Sequence, residues 1–101
     1  MVVSYLDDVN FSDDKPVVST LIKTDIINEM RIAFKKGQVM KEHKAPFPIL
    51  VNVVSGAIGF DAEGEVYLMK TGDTIMIHAN LPHELSAIEE SVVRVTLVKT
   101  A

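Results

Sequence analysis

The chain contains no cysteine and no tryptophan, and only four prolines and five glycines among its 101 residues. Without cysteine there can be no disulfide, no thiolate metal ligand and no thiol nucleophile. Cations are outnumbered, ten Lys and Arg against fourteen Asp and Glu, giving a net charge of −4. A general binder of nucleic acid or of an anionic membrane needs a basic surface, so both partner classes are excluded. No apolar run reaches the roughly 20 residues needed to span a bilayer. The segment Met1–Asp8 lacks the basic and continuous apolar regions of an export leader. These absences predict a cytoplasmic protein with neither a nucleic-acid nor a membrane partner.

What is present is a β pattern. The length predicts one domain over 1–101, with an N-terminal arm over 1–16 and a β-barrel core over 17–99. The arm holds Asp7, Asp8, Asp13 and Asp14. It reads as a solvated segment in which Val2–Leu6 could add an edge strand at a dimer contact. Val17–Ile22 follows Pro16 as a strand. In Met30–Phe34 the alternation puts Met30, Ile32 and Phe34 on one buried face. Lys35, Lys36, Lys41 and Lys44 read as a solvated rim, with an electrostatic funnel for an acidic molecule as the alternative. The nearly unbroken apolar run Ile49–Val54 predicts a strand covered on both faces. Ala57–Asp61 and Val66–Lys70 form a hairpin around Ala62–Glu65, with Ile58 and Phe60 packed beside Tyr67 and Met69. Thr74–Ile77, Glu84–Ile88 and the alternating Val93, Val95 and Leu97 supply the last strands. Many short strands with no convincing helix predict an all-β sandwich or barrel.

The stretch Gly72–Leu85 is the most structured in its chemistry. Gly72-Asp73 suits a tight turn, Asn80 suits a left-handed position, and Pro82 stiffens the corner that presents His83. This stretch resembles the second motif of the cupin superfamily, in which Gly72 and His83 match. His78 stands at that motif's Pro, Asn80 at its Gly and Ala87 at its final Asn. Gly37, followed after five residues by His43, resembles the start of the first cupin motif, and Gly56 falls where that motif ends. The resemblance covers roughly residues 30 to 98 and implies a double-stranded β-helix, or jelly-roll β-barrel.

The resemblance also implies a metal held by His-x-His, a Glu and a later His. His43 and His83 match the first and last of these. Ala45 stands at the second His and Ile49 at the Glu, so two ligands are replaced by apolar residues. Gln38 or Asn52 is the candidate third ligand, because alternation turns Glu42 and His78 away. Imidazole preference admits a divalent nickel, zinc or iron ion. His43, His83, Met40, Phe47, Ile49 and Val51 are expected to line a ligand site in the barrel. Three functions follow as expectations. The first is a small stand-alone cupin that binds a small molecule, with or without a divalent metal, as a homodimer. The second is a metal-dependent dioxygenase-like or isomerase-like enzyme. A structural or interaction module is the third. No Ser-His-Asp order or phosphate loop is present.

Overall fold

The computed structural model describes residues 1–99, and among them all regular structure is β. Nine strands run β1 Val17–Lys23, β2 Ile27–Phe34, β3 Val39–His43, β4 Ile49–Ser55, β5 Ala57–Ala62, β6 Glu65–Lys70, β7 Thr74–Ile77, β8 His83–Ala87 and β9 Ser91–Val98. They form a five-stranded sheet, β1-β2-β9-β4-β7, and a four-stranded sheet, β3-β8-β5-β6, with every pairing antiparallel. This is the expected jelly roll.

Side-chain alternation fills the space between the sheets. From the first sheet come Ile32 and Phe34, Ile49, Val51 and Val53, and Val93 and Val95; Ile58, Phe60 and Leu85 meet them from the second. Full burial of each such side chain contributes about 1.5–3 kcal/mol. The β5–β6 register sets Ile58 opposite Met69 and Phe60 opposite Tyr67, as the alternation predicts. At Gly56, φ is +107° and an added Cβ would lie 2.8 Å from the Ser91 Cα, so the β4–β5 turn requires glycine.

Three local readings are corrected. Strand β3 was anticipated only in the alternation of Glu42 with His43, because Val39–His43 is mostly exposed and carries no apolar rhythm; backbone pairing with β8 makes the whole segment a strand. Strand β4 is covered on one face only: Leu50 is exposed and Asn52 half-buried between the buried Ile49, Val51 and Val53. The third correction concerns the arm, which forms no strand and is not simply solvated. It lies on the outer face of β2 and β9, where Glu29 and Arg31 are buried. Glu29 accepts hydrogen bonds from Tyr5, Thr96 and Arg94, the last through Nε at 2.7 Å and Nη2 at 3.1 Å. Arg31 donates to the carbonyls of Ser4, Asp7 and Asp8, while Asp13 pairs with Lys35. Buried charges persist where each is paired in this way.

Candidate functional site

A cavity of about 490 Å³ opens between the two sheets. The first sheet contributes Met30 and Ile32 of β2, Ile49 and Val51 of β4, and Val95 and Leu97 of β9. Opposite them stand Met40, His43 and Leu85, with His83 at the head of β8. Val18, 52% exposed on edge strand β1, and the exposed Lys41 on edge strand β3 mark its mouth. Apart from Lys41, His43 and His83, every lining residue is apolar.

The two histidines are cross-strand partners, His43 of β3 directly opposite His83 of β8. A bulge makes this so. Met40 pairs with Leu85 and His43 with His83, so three steps along β3 match two along β8. Strict alternation would put Met40 and His43 on opposite faces; the extra residue returns both to the cavity side, Met40 half-buried and His43 exposed. The corner before His83 is held as the sequence foretold, with Asn80 at φ 65°. Asn80 N–H also donates to the Ala45 carbonyl at 2.7 Å, joining this corner to the β3–β4 loop.

His83 is only 2% exposed. Its ring stacks on Phe60 with centroids 5.5 Å apart and meets the edge of His43 at 4.4 Å and 62°. Nδ1 of His83 lies 2.9 Å from the Leu81 carbonyl, and Nδ1 of His43 lies 3.0 Å from the Lys41 carbonyl. A carbonyl can only accept, so each Nδ1 carries the proton and each neutral ring keeps a lone pair on Nε2. Burial pushes the His83 pKa below its ordinary value, and the neighbouring His43 adds to this against the opposing effect of the Leu81 carbonyl. His83 is therefore a neutral acceptor at physiological pH.

Of the residues expected to line the site, Met40, His43, Ile49, Val51 and His83 lie on the cavity, whereas Phe47 is half-buried outside its lining. Neither candidate third ligand reaches the histidines. Gln38 accepts from Lys35 N–H at 2.8 Å and donates to the Ser12 carbonyl at 2.6 Å, which ties the β2–β3 turn to the arm. Asn52 points off the opposite face of β4 from Val51 and donates to the Asp73 carbonyl and to Thr74. Leu85, Val95 and Leu97 were not expected at the site, although the alternation of β9 had already grouped the last two. His78 is exposed.

Each histidine has the orientation a metal ligand needs, Nδ1 bonded to a carbonyl and Nε2 free. The set is nevertheless incomplete. Zinc and iron centres generally take at least three protein ligands, and Ala45 and Ile49 turn hydrocarbon into the same cavity. Among the described residues no group of three or more His, Asp or Glu could hold a metal ion. The donors present do not fit the full metal centre of the fold.

A family model described as a cupin domain matches residues 30–99. No curated protein matches the chain. Solved structures do. A conserved protein of unknown function from Streptococcus pyogenes is 26% identical, with a TM-score of 0.86 over 100% of this chain and 89% of that one. An RmlC-like cupin from Desulfovibrio desulfuricans is 22% identical, with a TM-score of 0.91 over 97% and 95% of the two chains. An uncharacterised conserved protein from Klebsiella pneumoniae with a double-stranded β-helix domain is 22% identical, with a TM-score of 0.85 over 96% and 87%. The last two likenesses speak for the fold alone. With the family model spanning all strands from the middle of β2 to β9, both histidines included, the chain belongs to the cupin domain family.

Proposed function

We propose that this cupin domain binds a small, mainly apolar molecule between its sheets, with His43 and His83 as its polar contacts. One observation carries the reading: a cavity of about 490 Å³ whose walls are hydrocarbon except at two adjacent imidazoles and one lysine at the mouth. Pockets of roughly 300–1,000 Å³ with few convergent polar groups are the usual form of small-molecule sites. The incomplete donor set favours binding over metal-dependent catalysis. The reading includes a homodimer, supported by the exposed Val39 and Leu68, which end a row through Ser86 and Gly59 on the outer face of the second sheet.

The test is a screen of apolar fragments by protein-observed NMR on metal-free protein. Binders are expected to shift the methyl resonances of Ile32, Val51 and Leu85 together. A library that leaves all three unmoved, or moves only exterior methyls, would remove the reading. Sedimentation should give a mass near twice 11.1 kDa; a monomer at micromolar concentration would contradict the dimer.

A further inference from the structure

Resting on the binding reading above, we propose that the ligand is an uncharged aromatic hydroxyl compound, a phenol, whose one O–H proton is shared between the Nε2 lone pairs of the adjacent His43 and His83 as a three-centre hydrogen bond. The polarity of the site selects this class. Both Nδ1 protons are committed to backbone carbonyls, so the two imidazoles offer acceptors to the cavity. No Ser, Thr, Tyr, Asn or Gln lines the cavity to supply a donor there. The buried side-chain oxygen left without a partner among the described residues, Asn28 Oδ1, is also an acceptor; it lies opposite Leu97, a lining residue.

Three alternatives fail on this polarity. A carboxylate carries only acceptors, so it brings no proton to the Nε2 lone pairs that the Nδ1–carbonyl contacts leave open. A sugar would press several hydroxyls onto aliphatic walls, each without a partner and each costly to desolvate. A bare hydrocarbon would fill the space but leave the Nε2 acceptors unpaired. A phenol satisfies both demands. Its ring replaces water on Met30, Ile32, Val51 and Leu97, and its hydroxyl supplies the missing donor. The slot between stacked sheets, about 10 Å between backbones, suits a flat body. Lys41 at the mouth leaves any anionic substituent an outward position.

The experiment compares three probes of one shape, naphthol, methoxynaphthalene and naphthoate, by calorimetry at neutral pH on the metal-free protein. Naphthol is expected to bind at least about tenfold more tightly than the other two, the ratio set by one hydrogen bond that only it can donate. His43→Ala, at an exposed position, is expected to weaken naphthol severalfold more than it weakens methoxynaphthalene. Equal binding of naphthol and its methyl ether, or preference for naphthoate, would overturn the donor assignment and leave small-molecule binding standing. Failure of all three to bind at millimolar concentration would instead overturn the binding reading beneath it.

Discussion

Replacing Glu29 with alanine should be the most damaging single change outside the hydrocarbon core, although Glu29 touches neither cavity nor ligand. Glu29 is 3% exposed, and its carboxylate accepts from Tyr5, from Thr96 and twice from Arg94. A hydrogen bond to a charged group is worth about 1.5–3 kcal/mol, and breaking a fully buried ion pair costs about 3–5 kcal/mol. The lower range applies here, because the Arg94 side chain is 46% exposed and can recover water when its partner is gone. Losing anchorage for Tyr5 adds the release of the arm. The expected loss is therefore about 2–3 kcal/mol, which for a domain of this size lowers the melting temperature by roughly 10–20 °C. Urea denaturation gives the value directly, and an unchanged slope would show that two-state unfolding holds. Tyr5→Phe, which removes one donor and keeps the ring beneath the Arg94 guanidinium, should cost about 1 kcal/mol. A Glu29→Ala loss below that of Tyr5→Phe would refute the view that the outer face is locked through this carboxylate.

Stability should fall at both ends of the pH range. Burial alone would raise the Glu29 carboxyl, but bonds from Arg94, Thr96 and Tyr5 hold it below its ordinary 4.5; its contribution is full above that value and is lost as pH drops through the lowered one. His83 acts earlier on acidification, because the unfolded ring takes a proton near 6.5 while the folded ring resists it. At the alkaline end, burial and then Glu29 push Tyr5 from 10 up to about 12, so its contribution is full below 10 and disappears across that interval. Urea midpoints measured against pH should show these slopes, and Glu29→Gln should flatten the alkaline one; a profile identical to wild type would contradict the assignment. Ala45→His combined with Ile49→Glu should create a divalent metal site beside His43 and His83, with stoichiometric zinc or nickel uptake and a stabilisation of about 2.7 kcal/mol at a hundredfold excess of metal over its dissociation constant. A folded double variant that takes up no metal would show that these four positions do not converge on one point.

Period-two alternation was enough to set the class of fold and much of its core. Met30, Ile32 and Phe34 face inward together, as do Val93, Val95 and Leu97, because successive side chains on a strand must leave opposite faces. Turn chemistry was equally local, with Asn80 in the left-handed region before the stiff Pro82 corner. Three decisions needed the tertiary structure. The strand carrying His43 has no apolar rhythm and exists because β8 offers it backbone partners. Within it, one unpaired residue reverses the parity, so Met40 and His43 enter the same cavity despite an odd spacing that alternation would split. The acidic arm looked solvated because its aspartates are; what anchors it is a carboxylate and a guanidinium on β2, Glu29 and Arg31, whose partners lie far away in the chain. A local pattern records which face a side chain leaves from, whereas pairing between distant strands decides what that face meets.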